Sequence, residues 1–179
     1  FGHPTAQKYG LLYGTQTPQE YRGFSLTRVN MDELRLKVSM ALYDAGLNPF
    51  PISPSNIIIT LRGQIFHFED RTILEALRRG YTPVLHGDAV LDYTIGSTIV
   101  SGDAICALLA SYLGPTTCYM ATDVDGLYTA DPKSDSDAEF LSHLTKADVH
   151  SLLSSESVSG SGFVDVTRGM RGKLEAILS

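Results

Sequence analysis

Cysteine is scarce: Cys106 and Cys118 are the only two in 179 residues. Both sit in apolar runs without a partner at metal-ligand spacing. A disulfide scaffold and a zinc site are therefore set aside, and two reduced, buried thiols are expected. Basic residues are also outnumbered, with 14 Lys and Arg against 20 Asp and Glu and a net charge of −6. That balance carries no nucleic-acid footprint. An anionic ligand would have to be met by local features, such as a helix N-terminus or a single lysine. No uninterrupted apolar run reaches membrane-spanning length, and no signal peptide is visible, so a cytoplasmic location is expected. No internal repeat and no interdomain linker stand out. What is present, 43% hydrophobic and 19% charged residues, belongs to a globular chain able to build one sizeable core rather than to a disordered one.

Strand and helix patterns alternate along the chain. Leu34, Val38, Ala41, Leu42 and Ala45 recur at helical spacing until Gly46, and the stripe of Leu34, Val38 and Leu42 is expected to pack in the core. Pro49 to Ser53 reads as a strand, and Ile57 to Ile59 and Ile65 to Phe68 flank Arg62-Gly63 as a hairpin. Ile73, Leu74 and Leu77 mark a helix ended by Gly80, followed by a buried strand at Pro83 to Leu85. Asp103 is expected to cap the helix carrying Ile105, Leu108, Leu109, Tyr112 and Leu113. Gly114-Pro115 breaks that helix, Thr117 to Ala121 reads as the next strand, and a last helix starts near Thr167. Lys133 to Glu139 and Ser154 to Gly162 read as mobile surface. The alternation predicts an α/β fold, a three-layer α/β/α sandwich with a mostly parallel central sheet and ligands at the carboxyl ends of its strands.

Four polar, glycine-rich segments sit where strands end or helices begin. They are Phe1-Gly2-His3-Pro4, Ile99 to Ile105 with Ser101-Gly102-Asp103, Ala121 to Tyr128 continuing to Asp131-Pro132, and Asp165 to Lys173. Each alone is weak, because turns use glycine and aspartate anyway. Together they suit phosphoryl transfer, which needs backbone N–H groups close to phosphate oxygens and a lysine against the developing charge.

The third segment resembles the nucleotide-binding signature of the amino acid kinase superfamily, and the fourth resembles its threonine-glycine-glycine-methionine-x-x-lysine motif. Phe1 to Pro4 with Lys8-Tyr9-Gly10, Gly23 to Thr27, Pro83 to Asp88 and Ser101 to Asp103 resemble the isopentenyl phosphate kinases within it. The resemblance covers nearly all of residues 1–179 as a single kinase domain. The sequence opens at Phe1 within motif-like residues and stops inside a helical pattern, so part of a longer chain is expected.

The resemblance implies ATP with Mg2+ as phosphoryl donor and isopentenyl phosphate as acceptor. His3 would bind the acceptor phosphate, with Gly102 also against the substrate. Asp103 would organise two catalytic lysines, Lys173 and one on the family's first strand. Thr122, Asp123, Tyr128, Asp131 and Gly169 would line the ATP site together with Lys173. His3 and Lys173 would face each other across the strand tips, with the phosphoryl group between them. A homodimer is implied by the same analogy, and no membrane or nucleic-acid partner. Arg168 departs from the pattern, standing where the family usually has glycine.

The residues also carry blander readings. His86 reads as a structural support of the substrate loop, and His67, His143 and His150 as exposed. Asp88 and Asp92 flank a turn and read as structural, and Asp125-Gly126 as a tight turn. Two alternatives remain: a sister kinase acting on another small phosphate or phosphonate, and a nucleotide-binding module that has lost transfer.

Overall fold

Helix α2, Pro18–Asp44, owes its start to a reciprocal cap. The Glu20 amide donates to the Thr17 hydroxyl at 3.3 Å, and the Thr17 amide donates to the Glu20 carboxylate at 2.8 Å. Pro18 then occupies the first helical position, where its missing N–H leaves no hydrogen bond unmade. At the other end Leu47 N donates to Leu42 O and Gly46 N to Tyr43 O, the paired bonds that close a helix through a left-handed residue. The preceding helix, α1 (His3–Lys8), lies on α2. Asn30 Nδ2 donates to Thr5 Oγ1 at 3.0 Å. Two turns away along α2, Gly23 admits the Tyr9 ring so closely that a Cβ would sit 2.3 Å from Tyr9 Cγ. The fully buried positions of α2 are Gly23, Thr27 and Ser39. This corrects the expected core stripe: Leu34 and Leu42 are half-buried and Val38 is 42% exposed. Small side chains, not large ones, let α2 approach its neighbours.

The structure is a computed structural model that describes residues 2–121, 124–130, 132–133, 135–155 and 168–178. The chain divides into two compact units, Phe1–Ile105 and Cys106–Ser179. In the first, β1 (Pro49–Pro51) pairs in parallel with β4 (Thr82–Val84), Phe50 opposite Pro83. A second sheet, in the order Gln64–Phe68, Ile58–Leu61, Asp88–Asp92, Gly96–Val100, is built from two hairpins. The expected hairpin forms it in part, β2 (Ile58–Leu61) antiparallel to β3 (Gln64–Phe68) across Arg62-Gly63. An unanticipated hairpin completes it, β5 (Asp88–Asp92) antiparallel to β6 (Gly96–Val100). The two hairpins meet where β2 and β5 run parallel, Thr60 opposite Asp92. Helix α3 (Arg71–Arg78) buries Ile73 and Ala76. With Leu11, Ile52, Ile57, Ile58, Val84, Ala89, Val90 and Val100 these form the unit's core.

The turn between β5 and β6 is built by one carboxylate. Asp92 accepts from Gly63 N (2.8 Å), Thr94 N and Thr94 Oγ1 (both 2.7 Å) and Ile95 N (3.0 Å). Burial pushes this carboxyl up, but the hydrogen bonds outweigh burial and hold it below the usual carboxylate range. The structural role of Asp92 is thus borne out, but the placement is corrected: Asp88 and Asp92 bound strand β5 and do not flank a turn.

Helix α4 (Gly102–Leu113) ends before Gly114, as expected. In the second unit, α5 (Lys146–Ser155) packs on α6 (Arg168–Leu178), with Val149 and Leu174 buried. Leu127 to Thr129 runs antiparallel to Glu139 to Leu141, with Tyr128 opposite Phe140. The strand expected at Thr117 to Ala121 is not formed among the described residues. The segment carries no ladder, and Tyr119 is 91% exposed, so nothing there rewards extension. The described part of Lys133 to Glu139 is exposed apart from half-buried Ala138. Of Ser154 to Gly162, residues 156–162 lie outside the described residues.

Candidate functional site

Two loops leave the carboxyl ends of strands in the first unit and meet. One follows β4 as Leu85-His86-Gly87, and the other is Ser101 between β6 and α4. Their contact is backbone on backbone. A Cβ on Gly87 would lie 2.8 Å from Gly102 N and 3.2 Å from Val100 O, separations that only glycine avoids. The structure therefore joins two segments that the sequence placed far apart, and sets Gly102 at the first helical position of α4. Its N–H is one of the orphan donors of a helix N-terminus.

The cap of α4 is not the expected one. Ser101 caps it: Ala104 N donates to Ser101 Oγ at 3.1 Å, and Ile105 N to Ser101 O at 3.1 Å. Asp103 lies inside the first turn, half-buried, where a carboxylate is favoured by the helix dipole. Serine and aspartate both cap helices, and here the cap falls two residues ahead of the expected Asp103. His3 opens α1, and its side chain is exposed.

Behind the Gly87 loop lies a polar cluster that sequence reasoning missed. His86 has only 7% of its side chain exposed; its Nδ1 pairs with Gly87 O at 2.9 Å, and its Nε2 is 4.0 Å from Asp32 Oδ1. Asp32 also pairs with Arg35 Nη2 at 2.8 Å and accepts from Ser53 Oγ at 3.0 Å. Asp88, 2% exposed, accepts from Ala89 N and Ser55 N. Burial pushes the Asp88 carboxyl above the usual carboxylate range, although the His86 ring, the Ser55 hydrogen bonds and Arg28 pull it down. This cluster ties the loop to α2 and fits the structural readings of His86 and Asp88. The i, i+3 spacing of Asp32 and Arg35 is common to surface ion pairs on helices, so it carries no signal of this cluster.

In the second unit, Tyr128 is half-buried in the Leu127–Thr129 ladder, with its ring edge-on to Phe140 at 5.4 Å between centroids. Its hydroxyl is 3.5 Å from Asp125 Oδ2. Gly169 and Lys173 lie on α6, and Lys173 is half-buried. Thr122, Asp123 and Asp131 lie outside the described residues, as does the side chain of Arg168. A cleft of ≈ 520 Å³ borders the ladder, lined by Thr129, Leu141, His143, Leu144, Asp148 and Leu152 among others. His67, His143 and His150 are exposed as expected. The cysteines differ from expectation: neither is buried, Cys106 being half-buried and Cys118 exposed. Both lie on chain that packs against too little to cover them.

Comparison with known proteins places these features. A family model described as the amino acid kinase family matches residues 1–179. An isopentenyl phosphate kinase of Methanothermobacter thermautotrophicus is 34% identical over 184 residues, covering 99% of this chain and 67% of its own length. One from Arabidopsis thaliana is 35% identical over 147 residues, covering 80% of this chain and 44% of its own. The chain thus spans about two thirds or less of these curated relatives. A solved isopentenyl phosphate kinase structure superposes with a TM-score of 0.76 at 27% identity, over 96% of this chain and 76% of that one. The joined glycine loops and the alternating helices and strands are thereby accounted for: the chain belongs to the amino acid kinase family and has its α/β/α sandwich fold.

Proposed function

We propose that the whole protein is a kinase that transfers the γ-phosphoryl group of ATP to isopentenyl phosphate, giving isopentenyl diphosphate. The observation that carries this reading is the approach of Gly87 to Gly102, which makes a floor of backbone at strand ends in the position where such folds bind ligands. An acceptor oxygen attacks the γ-phosphorus while the bond to ADP breaks, with no covalent enzyme intermediate. In this proposal His3 donates a hydrogen bond to the acceptor phosphate, and the Gly102 N–H lies against it. Asp103 holds catalytic ammonium groups in place, and Lys173 neutralises charge on the moving phosphoryl group. Thr122, Asp123, Tyr128, Asp131 and Gly169 contact ATP. Magnesium would enter with ATP as part of the substrate and would neutralise charge on its phosphates.

A homodimer and a cytoplasmic location complete the proposal. Val29, Leu36, Met40 and Tyr43 recur on one side of α2 at spacings of seven, four and three, and each is more than half exposed, which supports a second copy as partner. No described helix is long and apolar enough to cross a membrane. The deciding assay gives the full-length protein radiolabelled ATP and a panel of acceptors: isopentenyl phosphate, a short phosphonate and glutamate. Turnover is expected with the first. Preference for a short polar acceptor would make the protein a sister kinase, and ATP binding without transfer to any acceptor would reduce it to a binding module.

A further inference from the structure

We infer that Cys106 and Cys118 are a reversible dithiol–disulfide pair, a modification site in the second unit. Cys106 lies in the second turn of α4. The chain leaves that helix at Gly114-Pro115 and turns back beside it, which brings the sulfurs, twelve residues apart in sequence, to 3.3 Å. A disulfide bond is ~2.0 Å long, so about 1.3 Å of approach closes it. Exposure supplies the chemistry with an order of events. Cys118 is exposed and meets an oxidant from solvent, whereas Cys106 is half-buried and serves as the resolving thiol. A small-molecule disulfide such as oxidised glutathione is the oxidant. The Cys118 thiolate attacks it, forming a mixed disulfide and expelling one glutathione thiolate. The Cys106 thiolate then attacks Cys118 Sγ, forming the internal bond and expelling the second. Two protein thiols are oxidised, one glutathione disulfide is reduced to two thiols, and the two protons pass to solvent and glutathione. The new bond ties α4 to the chain that runs on toward residues 122 and 123.

The test is disulfide mapping on the full chain. Protein is incubated with excess oxidised glutathione, alkylated with N-ethylmaleimide, digested and read by mass spectrometry. The expected product takes up no alkyl label and yields one cross-linked peptide pair joining Cys106 to Cys118. Dithiothreitol restores two labelled cysteines, and renewed oxidation restores the link. The Cys118→Ser variant, altered at an exposed position, keeps the wild-type melting temperature and leaves Cys106 labelled. Two other results overturn the pair: glutathione on either cysteine with no internal link, or links formed only between chains.

Discussion

Replacing Gly87 by alanine tests the joined loops directly. The added Cβ would stand 2.8 Å from Gly102 N, 3.2 Å from Val100 O and 3.3 Å from Ser101 C, whereas ordinary contact begins at 3.4 Å. All three neighbours are backbone, so no side chain can rotate aside. Relief requires the Gly87 loop and the start of α4 to part by about half an ångström, an overpacking strain of about 1–3 kcal/mol. For a chain of this size that lowers the melting temperature by roughly 2–12 °C. The larger expected effect is on transfer. Misplacement of about 1 Å costs on the order of a hundredfold, so a shift of half that is expected to lower kcat/KM for the acceptor about tenfold. The control is Thr17→Ala, which removes the α2 cap and about 1 kcal/mol while leaving both loops alone. Melting curves and steady-state kinetics of full-length variants are compared side by side. If Gly87→Ala keeps kcat/KM at the level of Thr17→Ala, the glycine contact has no part in placing the acceptor, and the reasoning fails.

His3→Ala should leave stability within about 0.5 kcal/mol, because the side chain is exposed, yet lower kcat/KM by about a hundredfold if it holds the acceptor phosphate; unchanged kinetics would remove it from the site. Asp92→Asn is expected to destabilise by about 1–3 kcal/mol at pH 7, since the amide oxygen still accepts from Thr94 and Ile95 but the amide nitrogen leaves Gly63 N without its acceptor. Because the Asp92 carboxyl is held low, its stabilisation is present above the unfolded value of about 4 and lost as pH falls through the folded value, so the penalty should shrink in urea melts at low pH. Asp88 has the opposite sign. Its raised value means stability is retained below the unfolded value and lost as pH rises through the folded one, so Asp88→Asn should gain on wild type between pH 4 and pH 7. A flat difference across that range would show that ionised Asp88 is adequately solvated.

Legibility in the sequence followed the locality of the cause. The hairpin across Arg62-Gly63 could be read because β-branched runs flank a turn dipeptide, and the site loops because their glycines sit at strand ends. The β5–β6 hairpin was harder to read: its turn is local, closed by Asp92 accepting from Thr94 and Ile95, but it lacks a glycine-centred turn dipeptide, and its link to Gly63 spans almost thirty residues. The start of α2 is local as well, in Thr17-Pro18-Gln19-Glu20, but it lies ahead of the apolar pattern, which becomes regular only near Leu34. The stripe from Leu34 to Leu42 misled for a related reason: periodicity marks a face but does not say what lies against it. Thr117 to Ala121 has strand composition, but strand formation needs a partner that composition does not name.

Helix α2 links the two ends of the proposed acceptor site, although nothing in its composition announces this. Through Gly23 against Tyr9 and Asn30 against Thr5 it fixes α1, and with it the position of His3. Through Asp32, 4.0 Å from His86 Nε2, it also meets the loop that carries Gly87. Asn30 and Asp32 are adjacent in this respect, two residues apart on one rigid helix, so His3 and Gly87 are referred to the same short stretch of backbone. A helix transmits displacement along its axis with little bending. A change that shifts α2 therefore moves both groups together and preserves their spacing, whereas a change at Tyr9 or His86 moves one against the other. Transfer depends on that spacing, so substitutions at Tyr9 and His86 should impair it more, for equal loss of stability, than substitutions on the outer side of α2.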